Sequence, residues 1–107
     1  MLAEKLETVV SRGIANTRPR DFYDIFILLK LRGNEISLDV LKKALEQTAD
    51  KRGSREVINR FDSILSDVIS SEQMQGFWRK YQSEFDYAAE ISFEEAIGAA
   101  KRVLATL

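Results

Sequence analysis

Residues 19–33 read PRDFYDIFILLKLRG. A proline costs nothing at the first position of a helix, where its missing N–H would be unpaired anyway, and a glycine commonly marks the end, so the stretch predicts one helix from Pro19 to about Gly33. Its body, Phe22 to Leu31, is apolar nearly all round. A helix of that kind is normally enclosed by others, which predicts that it lies at the centre of a helical bundle. Two aspartates, Asp21 and Asp24, stand at its head, and their presence beside so apolar a run needs a reason.

Outward from this segment the same spacing continues. Before it, Leu2, Leu6, Val9 and Val10 form an apolar stripe on a first helix that ends near Gly13 or Asn16. After it, Ser37 is a cap for a helix through Leu38, Leu41 and Leu45 that stops near Gly53. A fourth helix begins at Ser54 and places Val57, Ile58, Phe61, Ile64, Leu65 and Val68 on one face. Ser70 with Gln73 forms a capping box for a fifth, carrying Met74, Phe77, Trp78, Tyr81 and Phe85. Ser92 with Glu95 repeats the box before a last helix through Ala96, Ile97, Ala100, Val103 and Leu104. No alternating strand pattern, internal repeat or long linker interrupts the series. The expectation is an all-α fold, a single compact bundle of about six helices spanning residues 1–107.

Composition bounds the chemistry. A chain of 107 residues, 45% hydrophobic and 31% charged, suits one soluble domain with one core. It has no cysteine and no histidine, so disulfides, thiolate metal sites and histidine acid–base chemistry are excluded. No run reaches the roughly 20 apolar residues of a membrane helix, and no signal-peptide pattern opens the chain, so the cytoplasm is the expected location and no membrane partner is expected. The net charge is -1, but residues 1–32 hold six basic side chains against four acidic ones. An anion would therefore meet the N-terminal third.

In that third, Lys5 and Arg12 are about two helical turns apart and leave the same side of the first helix. Arg20, Asp21 and Asp24 share the head of the next. Each residue also has a plain structural reading. Asp21 would accept from free N–H groups and offset the helix dipole, Asp24 would pair with Arg20 or Arg12, and Lys5 would be solvated at the edge of its stripe.

The order of these residues, AEKL at 3–6, Arg12, then RPRDFYDI at 18–25, resembles the C-terminal part of the AbiEii/AbiGii toxin family, nucleotidyltransferases of bacterial abortive-infection and toxin–antitoxin systems. The closing SFEEAIGAAKRVL, with Trp78 and Tyr81 before it, is similar to the family's end. The resemblance implies transfer of a nucleotide from a nucleoside triphosphate to an acceptor such as RNA, with a divalent metal (Mg). It implies that Lys5 holds triphosphate and that Asp21, with Asp24 near it, positions the lysine or the acceptor, while Arg12 and Arg20 contribute to substrate binding. The family's N-terminal α/β unit, with its glycine phosphate loop and Asp-x-Asp metal pair, has no counterpart in these 107 residues. Glu84 and Asp86, around Phe85, lack a preceding glycine loop and are not read as a metal site. The chain is thus expected to bind no metal or other cofactor alone, to be inactive alone, and to be either the helical part of a longer enzyme or a truncated reading frame. Its expected partners are the nucleotidyltransferase domain and an antitoxin.

A different class of function is a helical interaction module, pairing with an antitoxin or with itself as a homodimer. Leu2, Val9, Val10 and Ile14 are the candidate exposed apolar residues for that. A small DNA-binding domain rests only on RGSR at 52–55 and the basic N-terminal third, and the overall acidity opposes it. Trp78, Tyr81 and Phe85 recur at helical spacing and read as core.

Overall fold

The computed structural model describes residues 2–107. It is all-α: α1 (Leu2–Arg12), α2 (Pro19–Arg32), α3 (Leu38–Arg52), α4 (Arg55–Asn59), α5 (Phe61–Ser70), α6 (Glu72–Glu84) and α7 (Phe93–Thr106), with short 3-10 turns at Gly13–Ala15, Gly33–Glu35 and Asp86–Ala88. α2 packs against α1, α6 and α7, while α1 also covers α3 and α5 closes on α7. The core is continuous. Trp78, Phe22, Leu6, Ile25, Leu65, Met74 and Ile97 are its largest fully buried side chains.

Several ends are set by local chemistry. Ser92 and Glu95 form the reciprocal capping box, with Ser92 Oγ accepting from the Glu95 N–H at 3.0 Å and Glu95 Oε1 accepting from the Ser92 N–H at 3.2 Å. Ser37 Oγ accepts from the Val40 N–H, and Gly53 ends α3 in the left-handed region at φ 67°.

Other expectations are corrected. The cap of α6 is Ser71, one residue beyond Ser70, because Ser71 has the extended backbone of a cap and accepts from the Met74 N–H, whereas Ser70 still belongs to α5. The predicted fourth helix is two, α4 and α5, broken at Arg60, whose N–H returns to the Val57 carbonyl in a tightened turn. That break makes seven helices of the expected six. Ser54 precedes α4, but its hydroxyl is buried and finds no partner among the described residues.

The largest correction concerns α2. Only Asp21, Phe22 and Ile25 are buried along it, Phe26 to Leu29 are half-buried, and Leu31 is 72% exposed. α1, α6 and α7 cover only part of its circumference and leave Leu31 open to solvent, so α2 is not enclosed by the other helices. The surface proposed for an interaction module is corrected as well. Val9 and Val10 are buried, Leu2 is half-buried, and of the four only Ile14 is exposed.

Gly13 turns the chain out of α1 at φ 49°, and a Cβ there would stand 3.1 Å from Ile64 Cγ2. Strain and crowding act together. Gly13→Ala is expected to lower the unfolding free energy by about 1–2 kcal/mol, the cost of a left-handed L-residue. Gly33→Ala, with φ negative and open space around it, should be neutral or slightly stabilising. Paired denaturant melts would check this, and equal stability of the two variants would refute it.

Candidate functional site

α1 and the head of α2 face one another, and α3 delivers its last turn to their edge. Between them lies an open cleft of about 260 Å³ lined by Glu4, Lys5, Thr8, Arg12, Arg18, Asp21 and Arg52. Three residues singled out from the sequence, Lys5, Arg12 and Asp21, line it together. The fourth, Asp24, holds the lysine: Lys5 Nζ donates to Asp24 Oδ2 at 3.0 Å, with both side chains about three-quarters buried. Arg20 reaches the same carboxylate oxygen only at 3.9 Å and is 75% exposed. It does not line the cleft.

The nearest structural partner of Asp24 is therefore Lys5, with Arg20, one of the two arginines expected, as a second and longer one. Nineteen residues separate the two in sequence. They meet because α1 packs along α2 with the Leu6, Val9 and Phe22, Ile25 faces inward, which turns Lys5 and Asp24 toward each other at the margin of the core. An ammonium has three donors, so the bond to Asp24 fixes the direction of Lys5 and leaves two N–H groups.

Asp21 is buried, as its place in the first turn of a packed helix dictates. Its side chain does not cap the helix. Its Oδ2 instead accepts from the Asn16 amide at 3.5 Å, and Arg18 approaches Oδ1 at 3.9 Å. Asn16 is itself buried and its Oδ1 accepts from the Arg18 N–H at 3.0 Å. The loop between α1 and α2 is thus tied to the head of α2 by an amide that the sequence reading assigned only to a helix end. Arg12 forms no ion pair among the described residues and projects at the cleft's edge.

Arg52 was missed as a site residue. It donates to Glu7 at 3.2 Å and to Thr8 at 3.4 Å, and lies 3.8 Å from Glu4. Glu7 is buried at 4% exposure, and Ser11 also donates to it. A signal existed in α1: Ala3, Glu7 and Val10 stand at helical spacing on one face, so a carboxylate lies inside the apolar stripe and requires a partner. Nothing local named Arg52, 45 residues away.

Behind Asp24 lies an aromatic cluster. Tyr23 and Tyr87 have ring centroids 4.7 Å apart, and the Tyr81 and Tyr87 hydroxyls are hydrogen-bonded at 2.9 Å. Trp78 and Tyr81 are core, as read, and Trp78 Nε1 donates to the Ile91 carbonyl. Phe85 departs from that reading at 39% exposure, because it follows the last turn of α6. Burial pushes the Tyr81 phenol well above its usual range, with the Tyr87 hydrogen bond and the nearby Asp24 carboxylate adding to it and Arg20 opposing. Burial, Tyr87 and Asp24 raise Tyr23 as well. Both phenols stay neutral in the folded state where an unfolded tyrosine ionises, so their contribution to stability is intact below about pH 10 and lost as pH rises beyond it. Tyrosinate absorbance should show delayed ionisation that is released on unfolding, and full ionisation of all three tyrosines in the folded protein near pH 10 would refute this.

Among the described residues, no group of three or more histidine, cysteine, aspartate or glutamate side chains is placed to hold a metal ion, and no helix is long and apolar enough to cross a membrane. Asp21 and Asp24 are turned toward Asn16 and Lys5, so they do not form such a group. A divalent metal does not fit the residues of this cleft.

No curated protein and no solved structure matches the chain. A family model described as the nucleotidyl transferase AbiEii toxin of a type IV toxin–antitoxin system matches residues 1–99, and the chain, with the Lys5–Asp24 pair at the meeting of its first two helices, belongs to that family.

Proposed function

We propose that this domain is the helical part of a nucleotidyltransferase site, in which Lys5 and Arg12 hold the phosphates of a nucleoside triphosphate. The observation that carries the reading is the 3.0 Å bond from Lys5 to Asp24 at the rim of a cleft that Arg12, Arg18 and Arg52 also line. Four cationic side chains around one opening suit an anion of several charges. Two of them are already engaged, Lys5 with Asp24 and Arg52 with Glu7, which among the described residues leaves Arg12 unpaired and Arg18 weakly held.

Asp24 is a positioning residue that aims the lysine, and Arg20 steadies the outer side of the same carboxylate. Asp21 holds the cleft wall through Asn16, with its second oxygen turned toward Arg18. In this reading the divalent metal and the phosphate loop are supplied by a nucleotidyltransferase unit outside these 107 residues, and nucleotide transfer to an acceptor such as RNA requires both parts. An antitoxin is the expected protein partner, in keeping with the family.

Titration of the protein with tripolyphosphate at low salt tests the phosphate site. Binding should weaken steeply with ionic strength and fall on Lys5→Ala and on Arg12→Ala. Affinity unchanged by both substitutions would sink the assignment.

A further inference from the structure

The segment Thr17 to Asp21 is a wall shared by two clefts. Arg18 and Asp21 face the charged one. Thr17 and Pro19 face another, of about 340 Å³, completed by Phe77, Lys80, Tyr81 and Glu84 of α6. Successive helical residues point about 100° apart, so Arg20 and Asp24 project between Pro19 on one flank and Asp21 on the other. The Tyr81 hydroxyl senses both charges. The clefts therefore stand on either side of the charged ridge that Arg20 and Asp24 form.

Their chemistries differ. The first is lined mostly by charged side chains, and the second offers the half-buried ring of Phe77, the edge of Tyr81 and the apolar ring of Pro19. At the rim of the second, Lys80 and Glu84 are one helical turn apart, a spacing at which opposite charges commonly pair. Neither forms an ion pair among the described residues. A donor and an acceptor are thus left beside an aromatic surface, the combination that receives the face and the polar edge of a flat heterocycle. Glu84 would repel a phosphate backbone, which favours a single uncharged base over a continuous strand.

We infer that this second cleft receives the base of the nucleotide whose phosphates occupy the Lys5 cleft, with the ribose crossing the Arg20–Asp24 ridge. The inference rests on the phosphate reading above and adds to it a base subsite built from Phe77, with Lys80 and Glu84 at the edge.

Calorimetric titration of the 107-residue protein with tripolyphosphate, ATP and adenosine, without added metal, separates the two claims. ATP should bind roughly tenfold more tightly than tripolyphosphate, the increment expected of one stacked base. Phe77→Leu keeps apolar volume but removes the aromatic face, and it should bring ATP down to the affinity of tripolyphosphate while leaving tripolyphosphate unchanged. Lys80→Ala, at an exposed position, should also reduce the ATP advantage without affecting the fold. ATP no tighter than tripolyphosphate, or an advantage that survives both substitutions, would overturn the base subsite and leave the phosphate site standing. Adenosine binding that is lost in Phe77→Leu, together with no binding of tripolyphosphate, would do the reverse. Absence of binding by all three probes would overturn both.

Discussion

Trp78→Ala is expected to lower the unfolding free energy by about 3–5 kcal/mol, the range for removing a large aromatic side chain from a packed core. Trp78 is 2% exposed, its ring stacks against Tyr81 at 5.6 Å and Phe93 at 5.8 Å between centroids, and its indole N–H donates to the Ile91 carbonyl at 2.9 Å. Truncation opens a cavity among rings that cannot collapse onto one another. It also removes one of the two donors at Ile91, whose carbonyl keeps only Gln82. A small domain has about 5–15 kcal/mol in all, so the variant should lose a large share of its stability. Circular dichroism and a urea titration would check this. A loss below about 1 kcal/mol would mean that α6 and α7 are not held through this side chain.

Lys5→Ala should act differently. When the domain is joined to a nucleotidyltransferase unit, transfer should fall on the order of 10²-fold or more, the usual cost of removing one fixed electrostatic contact to a reacting phosphate. Folding should hardly change. The Lys5–Asp24 pair is partly exposed, and such pairs contribute about 1 kcal/mol or less. Asp24→Asn should produce a smaller loss, because the lysine remains but its direction is no longer fixed by a charged acceptor. Single-turnover rates measured beside thermal unfolding separate chemistry from stability. Full activity in Lys5→Ala would remove the lysine from the site, and a melting temperature reduced as far as in Trp78→Ala would turn the pair into a structural element.

The two aspartates show how far the site was legible. The sequence placed Lys5, Arg12, Asp21 and Asp24 on two adjacent helices and matched their order to a family, but it could not divide the aspartates between tasks. Three residues apart on one helix, they point about 60° apart around its axis and lie most of a turn apart along it, and of the two only Asp24 comes within bonding distance of Lys5. Asp24 therefore meets the lysine, while Asp21 turns back to Asn16 and Arg18. Arg52 and Glu7 were beyond reach for a related reason: the pairing joins the end of α3 to the middle of α1, and nothing near either residue encodes the other.

What the sequence determined by itself is what depends on neighbours within a turn or two: the helical class, the Ser92–Glu95 box, the left-handed stop at Gly53, and the inward faces of α1, α5 and α7. Tertiary structure decided the rest. The exposure of α2 follows from α1, α6 and α7 covering only part of it, the break at Arg60 is where the predicted fourth helix divides into α4 and α5, and the Lys5–Asp24 bond follows from how α1 lies against α2. Capping, periodicity and turn chemistry act over a few residues and can be read along the chain, whereas the pairing of charges and the covering of faces depend on distances through space that packing alone sets.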